Sequence, residues 1–277
     1  MIPAAYITNW RTKAPWPTDA QVEQDLVLSR ALVEIFNIPL INQSLAFRGG
    51  TALHKLIFDP PGRYSEDIDL VQVRAGEIGS LIDALRSTLD GWLGEPKRKR
   101  NEGRVTLLYR FETTNKPVQS MRLKIEINTR EHFSELGYFH HSYAVSSPWF
   151  NGTAKIPTYH LEELLATKLR ALHQRKKGRD LFDLWLALSS RDVDTDKLLR
   201  CFERYMERSS ISVSRAEFEK TLAAKMEEAS FLGDMDPLLA RPNTYNPILA
   251  HEFVQDKIIS HMKGEPWRRS IRKVEPG

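Results

Sequence analysis

The sequence is poor in the residues that mark disulfide scaffolds, zinc sites and membrane spans. Cys201 is the single cysteine, so no internal disulfide can form, and the eight histidines show no zinc-ligand spacing. No run of about 18 apolar residues occurs, and residues 1–17 lack the apolar stretch of a secretion signal. These absences argue against secreted disulfide-rich, zinc-binding and membrane-spanning proteins. They predict a cytoplasmic protein that has no association with a membrane.

Charge is nearly balanced over the 277 residues but is unevenly distributed. The net charge is +4, with 41% hydrophobic and 27% charged residues, as in ordinary folded proteins. Basic residues cluster at 97–100 with Arg104, at 170–179 and at 268–273. Each cluster alone is most simply a solvated face or a loop. Three such clusters together are also compatible with a partner that carries a phosphate backbone.

The most informative segment begins with two adjacent glycines, Gly49 and Gly50, after the short apolar run 44–47. Paired glycines allow a backbone to adopt φ > 0 and to approach a ligand closely. Residues 51–58 have apolar positions at helical spacing, and the N–H groups at a helix start bind phosphate well. A tight strand-to-helix turn is the alternative meaning of the glycine pair. His54 is expected on the surface of this helix and not as a ligand.

Two carboxylates follow on a predicted strand. Asp67 and Asp69 alternate with apolar residues, so both side chains project from the same face. Two like charges so close together repel unless a cation lies between them, and carboxylate oxygens are the ligands that magnesium prefers. The alternative is an exposed strand edge with two solvated acids. The glycine pair upstream favours the metal site.

A third acid lies on another predicted strand. Residues 121–128 alternate strictly, so Lys124, Glu126 and Asn128 share the polar face. If this strand lies beside the strand of Asp67 and Asp69, Glu126 reaches the same site. Three carboxylates on adjacent strands suit an in-line displacement assisted by two metal ions. The alternative for Glu126 is an ordinary solvent-facing strand residue.

Residues further along the chain form a second candidate group. A helix is predicted for 158–174, and Lys168 lies within its apolar stripe, where a lysine is costly unless an anion meets it. Its stem could instead pack while its ammonium reaches water. A second helix through residue 189 carries Asp180 and Asp183. The alternative for both acids is a structural role, since acids in the first turn of a helix interact favourably with its dipole. Two antiparallel helices joined by a short loop would bring Lys168 and Asp183 together.

Together these segments resemble the AbiEii/AbiGii toxin family. The family consists of DNA polymerase β-like nucleotidyltransferases, the toxin halves of bacterial abortive-infection and toxin–antitoxin pairs. The resemblance is carried, in chain order, by Arg48-Gly49-Gly50-Thr51-Ala52-Leu53, Lys55, Arg63, Ser65, Asp67-Ile68-Asp69, Lys124-Ile125-Glu126, Lys168 and Lys177-Gly178-Arg179-Asp180-Leu181 with Asp183. The gap between Gly50 and Asp67 is longer than in the wider superfamily but is normal for this branch.

The resemblance implies a reaction and a set of roles. It implies a nucleoside triphosphate donor, pyrophosphate release and Mg²⁺, with Mn²⁺ possible as a substitute. In studied relatives the acceptor is the 3′ end of tRNA, and its modification blocks translation. An antitoxin encoded by the neighbouring gene is a possible partner. The expected metal ligands are Asp67, Asp69 and Glu126; the expected catalytic residues are these with Lys168, Asp183 and Asp180; the expected nucleotide-binding residues are Arg48, Gly49, Gly50, Thr51, Lys55, Arg63 and Ser65.

Two other functions are compatible with the residues. One is a nucleotidylyltransferase that modifies a small molecule or a protein hydroxyl. The other is a non-catalytic, RNA-binding regulator on the same fold, although the retained acids, Lys168 and Asp183 argue against it. A screen of acceptors would separate the enzymes, since a tRNA enzyme should use a basic surface and be sensitive to salt.

The predicted fold class is α+β, a polymerase β-like nucleotidyltransferase mixed sheet with flanking helices, followed by a mostly helical C-terminal half. Thr18 and Gln21 form a capping box that opens a helix through residue 36. The other elements predicted in this half are a helix at 77–93, a hairpin of 104–112 with 121–129, and a loop-rich linker at 130–157 with at most one strand. The predicted domains are residues 1–157, the sheet domain, and residues 158–277, the helical domain.

Overall fold

The computed structural model describes residues 2–114, 116–241 and 244–268, so the basic residues 269–273 lie outside the described part. The described chain forms two compact units. The first comprises the residues up to Leu164 together with 236–244, and the second comprises 165–235 and the residues from Tyr245 onward. The domain division after residue 157 stays a prediction. No helix within the described ranges is long and apolar enough to cross a membrane.

The first unit is built on a mixed sheet, in which seven strands fall within the described residues. They are β1 (Leu45–Arg48), β2 (Asp67–Gln72), β3 (Lys97–Asn101), β4 (Arg104–Glu112), β5 (Ser120–Asn128), β6 (Tyr138–Ser146) and β7 (Asn151–Tyr159). Their order across the sheet is β3-β4-β5-β2-β1-β7-β6. Strands β2 and β5 pair in parallel, as do β1 and β7, and the other neighbours are antiparallel.

Helices flank this sheet and make up most of the second unit. In the first unit they are α1 (Ala4–Trp10), α2 (Asp19–Phe36), α3 (Pro39–Ser44), α4 (Gly49–Ala52), which continues as a π-helical turn over Leu53–Ile57, and α5 (Gly79–Leu93). Helix α6 (Leu161–Gln174) begins at the end of the first unit. Then follow α7 (Gly178–Ser190), α8 (Thr195–Arg208), α9 (Arg215–Met226), α10 (Ala229–Leu232), α11 (Pro247–Lys257) and a 3₁₀ turn over Ile259–His261.

Local sequence signals explain the start of α2. The Thr18 hydroxyl accepts from the Gln21 backbone N–H, and the Gln21 side chain accepts from the Thr18 N–H, which completes the predicted capping box. Helix α2 then runs to Phe36, as predicted, and lies against strands β2, β5, β6 and β7. The buried helix thereby shields one face of the sheet from water.

Alternation along the strands sends apolar residues to that shielded face. Ile68 and Leu70 of β2, and Ile125 and Ile127 of β5, are fully or almost fully buried in the core of the first unit. Since side chains alternate along a strand, the residues between them point to the opposite face. Asp67 is one of these, so the two-residue period predicted from the sequence is confirmed.

The predicted linker over 130–157 is wrong. Strands β6 and β7 form an antiparallel hairpin there, and β7 also pairs in parallel with β1. Pro148 lies in the turn that joins the two strands, whereas Gly152 lies within β7 and pairs with Val145. The strand extends to Tyr159, with the Thr158 hydroxyl donating to the Phe47 carbonyl over 2.7 Å. The helix predicted from residue 158 therefore begins only at Leu161.

Strand β3 was not predicted, because its five residues Lys97–Asn101 are polar or charged throughout. All five are exposed, and the strand pairs with β4 at the edge of the sheet. Charged side chains on an edge strand hinder further strand pairing with other chains. The composition of this segment thus reflects its position at the edge and does not indicate a loop.

A buried ion pair joins the start of the chain to the π-helical turn. The Asp25 carboxylate accepts from the indole N–H groups of Trp10 and Trp16 at 2.8 and 2.9 Å, and from the Lys55 ammonium at 2.6 Å. Only 1% of the Asp25 side chain and 9% of the Lys55 side chain are exposed. The Lys55 ammonium also donates to the Ser29 hydroxyl. Lys55 therefore completes a buried network.

This network predicts a structural role for Lys55. We expect Lys55→Met to lower the free energy of unfolding by about 3 kcal/mol or more, because the substitution leaves the buried Asp25 carboxylate without its cation. Urea unfolding at neutral pH measures the effect. Lys13→Met is the matched control, since Lys13 is an exposed lysine of the same unit. Equal stability of the two variants would contradict this role and leave the Lys55 ammonium free for a phosphate.

Candidate active site

The strand register brings the three predicted carboxylates to one face of the sheet. In the parallel pair of β2 and β5, Asp69 is the partner of Glu126 and Asp67 is the partner of Lys124. In the antiparallel pair of β1 and β2, Arg48 is the partner of Asp69. Paired residues project on the same side of a sheet. The strand adjacency that the sequence argument required is therefore present.

The diglycine turn lies directly against Asp69. Gly49 follows β1 and has φ +82°, a left-handed conformation that glycine adopts without steric cost. A Cβ atom at this position would lie 2.5 Å from the Asp69 Oδ2 atom, which is too close for two non-bonded atoms. Gly50 is buried at the start of α4, so the helix begins two residues earlier than predicted. Glycine at 49 thus permits a close approach of backbone to carboxylate.

Two hydroxyl groups predicted to bind phosphate meet beside this turn. Thr51 lies in α4, and Ser65 lies in the segment that leads into β2. Their Oγ atoms are 2.7 Å apart, so one hydroxyl donates to the other. The structure therefore brings Gly49, Thr51 and Ser65 together around the end of β1 and the start of β2.

Positive side chains lie among the carboxylates. The Lys124 ammonium is 2.7 Å from Asp67 Oδ2 and 3.8 Å from Glu126 Oε2. The Arg104 guanidinium is 3.3 Å from Glu126 Oε1. Burial tends to lower the pKa of Lys124, but the hydrogen bond to Asp67 and the nearby acids raise it overall. Lys124 therefore remains a cation within the carboxylate group.

The charged form of the Asp69 carboxylate is destabilised in this site. Burial raises the pKa of its carboxyl group, and the neighbouring Asp67 and Glu126 carboxylates raise it further. Arg48 and Lys124 oppose this shift without cancelling it. A raised pKa means that the charged form is held at a cost, and an added cation would relieve that cost.

The residues present fit a divalent cation in chemistry and in strand position. Carboxylate oxygens are hard ligands, and Asp67, Asp69 and Glu126 share one face at paired positions. Within the described ranges, no three His, Cys, Asp or Glu side chains are already drawn together as a metal site. The Lys124 ammonium lies against Asp67 and close to Glu126 instead. A cation bound here would therefore compete with Lys124 for the Asp67 carboxylate.

Arg48 is fixed by a residue that the sequence argument did not identify. Its guanidinium donates to Glu131 Oε2 over 2.6 Å, and Asn128 donates to the same carboxylate oxygen. Burial tends to lower the pKa of Arg48, but Tyr159, Glu131 and Asp69 raise it well above its ordinary value. Arg48 is therefore a fixed positive charge beside Asp69. Glu131 comes three residues after the β5 polar face ends, and no motif marks it.

Three residues of the same segments lie elsewhere. Lys55 is held by Asp25, as described above. Arg63 is buried, donates to the Tyr64 carbonyl and forms a backbone bridge with Leu239. The expectation that His54 lies on a helix surface is wrong. Its side chain is buried, and its Nδ1 atom accepts from the Gly62 N–H, because the helix packs this side inward.

The second unit contains its own buried charge cluster. The Lys168 ammonium lies 3.2 Å from Asp180 Oδ1 and 2.8 Å from Asp183 Oδ2, and both aspartates are fully buried. Arg175 donates to both oxygens of Asp180 at 2.7 and 2.8 Å. Burial alone would raise the pKa of Asp180, but Lys168 and Arg175 lower it overall. The predicted meeting of Lys168 with Asp183 is present in the structure.

Two further residues border this cluster and carried no sequence signal. The buried Tyr245 hydroxyl has no hydrogen-bond partner within the described residues. Burial raises the pKa of this hydroxyl, and the negative charge of Asp183 raises it further. The Lys225 ammonium donates to the carbonyls of Leu172 and His173 at the end of α6. Burial lowers the pKa of Lys225 to about 8. Lys225 thus closes the helix end that precedes Arg175.

Comparison with known proteins gives a consistent result. The family model described as "Nucleotidyl transferase AbiEii toxin, Type IV TA system" matches residues 30–255. The structure is similar to MenT4, a nucleotidyltransferase toxin from Mycobacterium tuberculosis, with TM-score 0.64 and 15% identity over 95% of this chain and 91% of that one. It is also similar to a putative nucleotidyltransferase from H. pylori, with TM-score 0.52 and 18% identity over 86% and 98%. No curated protein matches.

The close contact of Gly49 with Asp69 predicts a strong effect of a single methyl group. We expect Gly49→Ala to lower the free energy of unfolding by about 2 kcal/mol, because alanine is strained at positive φ and its Cβ displaces the Asp69 carboxylate. Gly79→Ala is the control, since a Cβ there meets no atom within 4 Å. Urea unfolding of both variants measures the difference. A Gly49→Ala protein as stable as the control would show that the turn tolerates a side chain.

Proposed function

Because this chain belongs to the AbiEii family of nucleotidyltransferase toxins, we propose that it transfers a nucleoside monophosphate from an NTP to the 3′ end of tRNA. The chain is a nucleotidyltransferase of a type IV toxin–antitoxin family with a mixed sheet and flanking helices, as the sequence predicted. That family implies an NTP substrate, a divalent metal and an antitoxin partner. The specific acceptor, the specific metal and the effect on translation are our proposal.

The reaction is an in-line displacement at the α-phosphorus. The acceptor hydroxyl oxygen forms a bond to that phosphorus while the bond to the β-phosphate oxygen breaks, and pyrophosphate leaves. The hydroxyl proton passes to a carboxylate or to water. A bound divalent cation supplies Lewis-acid stabilisation of the phosphate charge. The protein contributes mainly by positioning and by fixed charges, as in other phosphoryl transfers.

The triphosphate would bind beside the diglycine turn. The backbone at Gly49 and Gly50 can approach phosphate oxygens closely, and the paired hydroxyls of Thr51 and Ser65 can donate to them. Arg48 supplies a positive charge that Glu131 holds in place. Lys55 and Arg63 are left out of this assignment, because their side chains are buried in contacts of the first unit.

The carboxylates would hold the metal, which we propose to be Mg²⁺, with Mn²⁺ as a functional substitute. Asp67 and Asp69 are the proposed ligands, and Glu126 either completes the site or orients the attacking hydroxyl. The raised pKa of Asp69 supports this, because burial and then the neighbouring Asp67 and Glu126 carboxylates make its charged form costly, and a cation bound at the register of Asp69 with Glu126 would relieve that cost. When the site is loaded, Lys124 would release Asp67 and be available to a phosphate oxygen.

Residues of the second unit would act in the same reaction. Lys168 is proposed to neutralise phosphate charge, and Asp183 to position or deprotonate the acceptor. Asp180 is bound by both Lys168 and Arg175, so its charge is already compensated. Lys168 lies nearer to Asp183 than to Asp180. We therefore assign Asp183 as the reacting aspartate beside Lys168, and Asp180 as the residue that positions Lys168.

Modification of the tRNA 3′ end would stop translation in the cytoplasm, which is the proposed basis of toxicity. The antitoxin would be the product of a neighbouring gene. A small-molecule or protein hydroxyl is the acceptor that the following experiment must separate from tRNA. The observation that carries the proposal is the register of Asp69 with Glu126 beside the Gly49 turn.

The test is transfer of label from each α-labelled NTP, with Mg²⁺, to total tRNA. We expect labelled tRNA with at least one NTP, and we expect Asp67→Ala/Asp69→Ala to reduce transfer by about a hundredfold or more, because it removes the proposed metal ligands. Asp83→Ala is the control, since Asp83 is an exposed acid on α5. Circular dichroism checks that each variant is folded.

Two outcomes would contradict the proposal. Absence of label on tRNA with every NTP would exclude tRNA as the acceptor, and label on added protein or small molecules would then identify another one. Transfer that persists in the double variant would show that Asp67 and Asp69 are not the metal ligands.

A further inference from the structure

The sheet face that carries the carboxylates continues across two more strands to the edge of the sheet. Glu126 of β5 is the partner of Thr106 on β4, and Thr106 is the partner of Lys99 on β3. In the next row, Lys124 is the partner of Leu108, and Leu108 is the partner of Lys97. Each row therefore runs from an active-site residue to a lysine on the edge strand.

The length of these rows suits a chain of phosphates. Neighbouring strands lie about 4.8 Å apart, so three spacings separate β2 from β3 by about 14 Å. The surface is open along this distance. Thr106 and Leu108 are partly exposed, and the flanking Arg104 and Arg110 are exposed. A ligand bound along a row would reach Asp69 with one end while its other end contacted Lys99.

Away from the active-site carboxylates, this face of the strands carries five exposed cations and one acid, Glu112. We call the exposed cations of this face, Lys97, Lys99, Arg104, Arg110 and Arg122, the basic sheet face. Lys97, Lys99 and Arg110 have no ion-pair partner in the described part of the chain. Arg122 lies 4.0 Å from Glu66, and Arg104 pairs with Glu126. Three cations are thus available to an anionic ligand.

The same face lacks base-stacking groups. On β3, β4 and β5, the side chains that share the face of Glu126 include no aromatic residue, since Tyr109 and Phe111 point to the opposite face. Stacking on aromatic rings is the usual way to hold unpaired bases, whereas cations alone bind the phosphate backbone. The face therefore favours sequence-independent contacts with phosphates.

We propose that the basic sheet face binds the phosphate backbone of the RNA acceptor and directs its 3′ end toward Asp67 and Asp69. This inference rests on the proposed function, because it assigns a binding surface to the acceptor of that reaction. The partner is an RNA strand, with its phosphates on Lys97, Lys99 and Arg110 and its terminal hydroxyl at the carboxylates.

Strand β3 supplies its own control. Arg98 and Arg100 lie on the same exposed strand, but their partners on β4 are the buried Leu107 and Val105. Their side chains therefore project from the face opposite to Lys97 and Lys99. Substitution of either set removes exposed positive charge from one strand, and only one set lies on the face of the active site.

The experiment measures RNA binding separately from catalysis. Fluorescence anisotropy with labelled tRNA, and with a short single-stranded RNA, gives the affinity of wild type, Lys97→Gln/Lys99→Gln and Arg98→Gln/Arg100→Gln over a range of salt. We expect the first variant to bind about tenfold or more weakly. The slope of log affinity against log salt concentration should fall by about 1.4, since each of two phosphate contacts with a single strand contributes about 0.7. The second variant should stay within about twofold of wild type.

The outcomes separate this inference from the proposed function. Equal weakening in both variants, unchanged binding in the first, or no RNA binding by wild type would overturn the basic sheet face. Wild type that labels tRNA while the first variant labels it equally well would overturn the surface and leave the reaction standing. Loss of RNA binding confined to the first variant, in a protein that transfers no nucleotide, would support the surface and defeat the reaction. A basic sheet face that binds an acidic protein and no RNA would also overturn the assignment of this surface to RNA.

Discussion

The parallel pairing of β2 with β5 is the constraint on which the rest of the site depends. It places Asp69 beside Glu126 and Asp67 beside Lys124, so that like charges are held together by backbone hydrogen bonds and cannot move apart. The Gly49 turn then closes on Asp69 from β1. The fold thus holds three carboxylates together next to a backbone segment that can approach phosphate, as a metal-assisted transfer of nucleotides requires.

Short-range patterns in the sequence predicted much of this arrangement. The alternation around Asp69 and Glu126 predicted two strands and their polar faces, and the capping box at Thr18 predicted the start of α2. Register between strands is a tertiary property, so the pairing itself had to come from the structure. Strands β3 and β6 lie at the two edges of the sheet, where polar residues occur on both faces and the two-residue period is weak.

The site shows the same limit at the level of single side chains. Lys55 stands in the glycine-rich segment and looks like a phosphate ligand, yet its ammonium belongs to Asp25, thirty positions earlier, in a buried network with two tryptophans. Glu131 carries no motif, yet it holds Arg48 in place. Residue type indicates which charges are available. Only the packing decides which of them a ligand can reach and which the core already uses.

The central claim is that the carboxylate group holds a divalent cation in competition with Lys124. A titration with Mn²⁺ tests this directly, because the electron paramagnetic resonance signal of the free ion decreases as the ion binds. We expect Lys124→Met to bind Mn²⁺ several times more tightly than wild type, because the competing ammonium is gone, and Asp69→Asn to bind it about tenfold or more weakly. Mn²⁺ affinity that is unchanged by Asp69→Asn would contradict the account.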